Sequence, residues 1–164
     1  MLLKQSGQSG ASLIEVMVAL FVMAIGLLGF AALLTTSSTL NQRAFQLSQA
    51  VFLAESIVER VRANRNGSSV SDYGVNLSEN PSSNSNCDSS ACSPTDMAKW
   101  DVAQWMMQVN SLLPSGDAQI EVNTVSGITS ITVTVYYELR EGGKSTGGAG
   151  LLGKLESYVL RTEI

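Results

Sequence analysis

The sequence contains no histidine and only two cysteines, Cys87 and Cys92. The first absence removes the commonest general base, the commonest metal ligand and any Ser-His triad. Two cysteines alone cannot build a four-ligand zinc site. Positive charge is also scarce: 10 Lys and Arg stand against 14 Asp and Glu, a net charge of -4. A nucleic-acid binder needs clustered cations to neutralise phosphates, so no nucleic-acid contact is expected. The one basic cluster, Arg60, Arg62 and Arg65, is interleaved with Glu55 and Glu59 and reads as a solvated helix face. Gly142, Gly143, Gly147, Gly148 and Gly150 lie in a Lys- and Ser-containing loop without phosphate-binding spacing. Neither catalysis, nor a cofactor, nor a bound metal is expected.

What the chain does have is a long apolar run near its start. Residues 11–34 carry one charge, Glu15, and are otherwise almost wholly apolar. As a helix rising about 1.5 Å per residue they span about 36 Å, enough to cross a hydrocarbon core of about 30 Å. Gly26 and Gly29 lie inside the run, where membrane helices tolerate glycine. Ten residues precede it, MLLKQSGQSG, polar in their second half and carrying Lys4. A secretory signal would be cut after its apolar core, for which Ala31 and Ala32 are a loose match. A plain signal anchor is the simpler reading. Neither explains Glu15, because a charge placed in a membrane is unfavourable and marks a functional candidate.

The run Gly10-Ala11-Ser12-Leu13-Ile14-Glu15-Val16 resembles the processing site of type IV prepilins. The resemblance implies that a membrane peptidase cuts between Gly10 and Ala11, before the apolar core, and methylates the new N-terminus at Ala11. It also implies that Glu15, the fifth mature residue, pairs with the N-terminal amine of a neighbouring subunit during assembly. A cation and an anion desolvated together are far less unfavourable than either alone. Many members of the family have Phe at the first mature position, where this chain has Ala11.

Beyond the apolar run, Leu40, Ala44, Leu47, Val51, Ala54, Val58 and Val61 follow each other at alternating spacings of four and three. That is one apolar stripe on an amphipathic helix, expected to dock a sheet. The helix is expected over about 11–65, with Asn64, Asn66 and Gly67 as stop signals. Residues 67–93, rich in Ser and Asn, read as loop. In a secreted domain Cys87 and Cys92 are expected to form a disulfide, since the periplasm is oxidising. A second helix is expected at about 94–113, capped by Ser93, opened by Pro94, favoured by Asp96 and closed by Pro114 and Gly116. Its apolar stripe is Ala98, Val102, Trp105, Val109 and Leu112, with Trp100 and Trp105 read as core.

Alternation around Ile120 and Val122, and from Ile131 to Leu139, predicts two strands joined at Ser126-Gly127 as a hairpin. A last strand is expected near 156–163. The fold class is therefore α+β: a long N-terminal helix and a second, shorter helix on a small antiparallel meander. This order resembles the pilin fold. The segment Ile25-Gly26-Leu27-Leu28-Gly29, with Ala103-Gln104-Trp105 and Leu112-Leu113-Pro114 further on, is similar to PilV-type minor pilins.

The resemblance implies a division into a leader (1–10), a transmembrane and filament-core helix (11–35) and a periplasmic globular domain (36–164). It implies a minor pilin that helps to initiate type IV pilus assembly and enters the pilus. The implied partners are the prepilin peptidase/methyltransferase, other minor pilins, the major pilin, the pilus assembly platform and the bacterial inner membrane, crossed once. The implied final place is the pilus, at its tip. An I-type minor pseudopilin of type II secretion shares the processing site and stays open. So does a signal-anchored periplasmic enzyme or binding protein.

Overall fold

The computed structural model describes residue 10 and residues 12–65, 70–139 and 155–164. Helix α1 runs Leu13–Ala63. A short 3-10 turn follows at Val70–Tyr73, then helix α2 at Pro94–Leu112. Three strands complete the fold: β1 at Asp117–Val125, β2 at Ile128–Glu138 and β3 at Leu155–Glu163. The strands form one antiparallel sheet in the order β1-β2-β3. The architecture is the expected α+β meander of the pilin type. The chain divides into two compact units, one ending at Leu40 and one spanning Asn41–Ile164.

The second unit holds the core. Its sheet presents Ala118 and Ile120 of β1 and Ile131, Val133, Val135 and Tyr137 of β2, all buried. Period-two alternation puts these on one face. The register sets Ile120 against Val133 and Val133 against Leu160. The hairpin turns on Ser126 (φ 53°) and Gly127 (φ 82°). Two positive φ values in a two-residue loop match the right-handed twist of the flanking strands. At the far end of β1, Gly116 is held by a different constraint. A Cβ there would lie 2.4 Å from the Val109 carbonyl oxygen, so only glycine fits under the end of α2.

Helix α2 starts where its sequence signals say. The Ser93 hydroxyl accepts from the Asp96 amide at 3.2 Å, and Pro94 occupies the first turn. Its stripe is shifted at the end: Leu112 is exposed and Leu113 is buried, because the helix stops at Leu112 and the chain turns Leu113 under. Trp105 is fully buried, as expected, whereas Trp100 is half-buried.

The stripe expected on α1 needs correction. Leu40, Ala44 and Leu47 are exposed, and Val51 is half-buried. The buried residues are Ala50, Leu53, Ala54, Ile57, Val58 and Val61. They form a wider stripe that begins a full turn or more further along. Periodicity marks a face of a helix but not how far the covering elements reach along it. The described part of the expected loop, residues 70–93, holds more regular structure than a loop reading implied. They contain the Val70–Tyr73 turn and a bridge in which Val75 and Ile120 exchange backbone hydrogen bonds of 3.1 and 2.9 Å. The stop signals Asn66 and Gly67 and the Gly-rich segment 142–150 lie outside the described residues.

Candidate processing and assembly site

The site begins where α1 begins. The Ser12 carbonyl accepts from the amides of Glu15 and Val16, at 3.0 and 3.2 Å, and so opens the helix. Glu15 therefore stands in the first turn. A carboxylate there complements the positive end of the helix. Its side chain is exposed and, among the described residues, has neither a hydrogen-bond nor an ion-pair partner. Gly10 is exposed, with open space where a side chain would be. Ala11, the expected first mature residue and methylation site, lies outside the described residues.

From Leu13 to Leu34 every residue of α1 is exposed, including Phe21 (68%) and Leu28 (73%). By length and composition this helix is able to cross a membrane. At the end of the apolar run Thr35, Thr36 and Thr39 turn their hydroxyls back onto the helix. Thr35 donates to the Ala32 carbonyl at 2.8 Å, Thr36 to Ala32 at 3.1 Å and Thr39 to Thr36 at 2.8 Å. Hydroxyls satisfied in this way need no water, so these three threonines are compatible with an apolar surrounding.

Cys87 and Cys92 form a disulfide, with an S–S distance of 2.05 Å and Cα atoms 5.6 Å apart. The bridge closes a loop of few residues just before α2.

Two family models match the chain. The prokaryotic N-terminal methylation motif matches residues 5–31. The Tt1218-like family, described as type IV pilin Tt1218, matches residues 32–103. The chain is a type IV pilin-like protein. No curated protein and no solved structure matches it. The type IV pilin family is structural, so this pilin-like chain is not an enzyme. The methylation motif implies processing by a prepilin peptidase, membrane anchoring and assembly with other pilins into a pilus.

The pilin-like domain also contains a polar joint that sequence reading missed. Arg60, taken as part of a solvated face, donates from Nη1 to Asp101 Oδ1 at 3.0 Å, and the two side chains are mostly buried. The Tyr73 hydroxyl donates to Asp101 Oδ2 at 2.9 Å and accepts from Asn64 Nδ2 at 3.1 Å. Asn64 also donates to the Pro94 carbonyl at 2.8 Å. One buried carboxylate thus ties the end of α1, the 3-10 turn and α2 together. Burial pushes the Tyr73 hydroxyl well above its ordinary range; the Asn64 bond opposes this, and the Asp101 bond and charge add to it. Tyr137 is raised as well, by burial and then by the Glu156 charge. Arg62 leaves the expected solvated face only in part, pairing with Glu59 at 2.6 Å and reaching Thr162 of β3 at 3.1 Å. A second tie crosses the core, where Trp105 Nε1 donates to the Leu53 carbonyl at 2.8 Å. The only advance signal for the joint was Asp101 sitting on the apolar side of α2, between Ala98 and Val102.

Proposed function

We propose that this chain is a PilV-type minor pilin. Cut between Gly10 and Ala11 and methylated at Ala11, it takes part in initiating a type IV pilus and is then incorporated, at the tip. Before assembly, residues 11–35 cross the inner membrane once and residues 36–164 stand in the periplasm. The observation that carries the reading is Glu15: the one charge in the apolar run, exposed, and without a partner among the described residues. A lone carboxylate in hydrocarbon is unfavourable by about 2.5–3.5 kcal/mol on insertion scales. The N-terminal amine of a neighbouring subunit would relieve this, and would favour the register that brings the two charges together.

Two further features support an assembly role. Phe45 and Phe52 are 64% and 63% exposed and lie seven residues apart, on the side of α1 turned away from its buried stripe. A helix that keeps a second apolar face is suited to packing against other helices. Ile25-Gly26-Leu27-Leu28-Gly29 and the Ala103-Gln104-Trp105 segment support the PilV-type assignment.

Intact-mass analysis of membrane-extracted protein tests the reading. The expected chain starts at Ala11 and carries one methyl group. A chain that retains Met1, or one that starts near residue 33, would defeat it. Replacing Glu15 with Ala is expected to leave cleavage intact and to lower recovery in sheared pili by at least about tenfold, as the lost charge pair predicts. Normal recovery of that variant would remove the pairing role.

A further inference from the structure

Among the described residues, the outer edge of β1 is half covered and half bare. Strand alternation alone decides which backbone groups face outward. Because Ile120 exchanges its hydrogen bonds with Val75, the even-numbered residues of β1 point their N–H and C=O groups away from β2. At the covered end the Ala118 amide donates to Asp117 Oδ1 at 2.8 Å, and Ile120 is satisfied by Val75. Asp117 in turn holds Ser78, whose amide donates to Oδ2 at 2.9 Å. At the bare end, the backbone groups of Val122 and Thr124 have no partner among the described residues.

Beside them lies an open groove of about 550 Å³, lined by residues 74–76 and 119–123. Its one charged lining residue is Glu121, which is exposed. Further along the strand, at the hairpin, Val125 and Ile128 are 70% and 56% exposed. Bare edges in folded proteins are ordinarily blunted by a bulge, a proline or a covering segment. Here the covering segment, Gly74–Asn76, stops after one paired residue.

We propose that the Glu121–Val125 edge is a strand-addition site for an extended segment of another pilin subunit. The incoming segment pairs with the backbone of Val122 and Thr124. On one face it places an apolar side chain beside Val122, which packs at the margin of the core. On the other it places a Lys or Arg beside Glu121. Charge complementarity selects the occupant: the groove is acidic, and a second copy of this chain carries the same net charge of -4. In strand addition the backbone supplies the affinity and the alternating side chains supply the specificity. The choice of a pilin as partner rests on the assembly reading; the bare edge does not.

The test uses the full-length protein, tagged and co-expressed with the other pilins of its own cell, and captured in detergent. Amide exchange at Val122 and Thr124 is expected to slow by about tenfold or more in the captured assembly, relative to the protein expressed alone. Two variants probe the contact. Thr124→Pro removes one outward N–H and keeps the backbone bonds between β1 and β2, losing only the exposed Thr124–Thr129 hydroxyl contact of 3.0 Å, and Glu121→Lys reverses the exposed charge. Each is expected to reduce pilin capture about five- to tenfold, with thermal unfolding close to wild type. The charge variant stands alone should the proline variant fail to fold. Equal exchange in both samples, or wild-type capture of Glu121→Lys, would overturn the proposal. Concentration-dependent protection of the protein expressed alone would replace the pilin partner by a second copy. Absence of any pilin in the wild-type capture would defeat the assembly reading and this partner together, whereas normal capture with unprotected amides defeats the edge site alone.

Discussion

The first and last thirds of α1 share one helix and behave oppositely. From Leu13 to Leu34 large apolar side chains are exposed on every side. From Ala50 to Val61 six small or branched apolar residues are buried in a core shared with α2 and the sheet. Hydrophobicity alone does not separate the two, because both stretches are rich in Leu, Ile, Val and Ala. What separates them is the company the rest of the chain provides. The second stretch is covered by its own domain. The first is left for lipid or for other subunits, which is the condition of a pilin-like chain.

The largest effect that tests this contrast is expected at Leu53, which is fully buried and whose carbonyl accepts from Trp105. Leu53→Ala should destabilise the domain by about 2–5 kcal/mol, read as a lowered thermal unfolding midpoint. It should leave membrane insertion unchanged. Next comes Gly116→Ala, where the new methyl group would sit 2.4 Å from a backbone oxygen that cannot swing aside. A loss of about 1–3 kcal/mol is expected in denaturant titration, on the scale of overpacking a tight site.

Tyr73→Phe follows, at about 1–3 kcal/mol, because one oxygen of the buried Asp101 loses its donor. This variant has a second readout. Tyr73 holds its proton more tightly in the folded state than its ordinary value of 10.0 implies. Folded and unfolded chains therefore bind the proton equally below about pH 10, and the folded chain binds it more strongly above. Stability should fall as pH rises beyond 10, and Tyr73→Phe should reduce that slope. The smallest effect is expected at Leu28, the exposed counterpart of Leu53. Leu28→Ala should change domain unfolding by less than about 0.5 kcal/mol. A large change there would break the contrast between the two stretches.

Much of the fold could be read in advance where neighbours in sequence decide the structure. Ser93, Pro94 and Asp96 opened α2 as expected, since caps act within one turn. Ser126-Gly127 set the hairpin because the turn needs two positive φ values. At the site, Glu15 stood out as the one charge in the apolar run, and Gly10 through the resemblance of the surrounding residues to a prepilin processing site. The Arg60–Asp101 and Tyr73–Asp101 contacts could not, because they join residues 41 and 28 positions apart. Before folding, Arg60 looks like any other cation on a solvated face.

The sequence by itself determined the processing motif, the apolar run with its single carboxylate, and the order and type of the elements. Each of these depends on residues within a turn, a strand or a helix of one another. Only the tertiary structure decided where along α1 burial begins, which charge became part of the core, and which half of the β1 edge was left bare. Those outcomes depend on how far α2, the sheet and the Gly74–Asn76 segment reach, and no local pattern encodes the reach of a distant element.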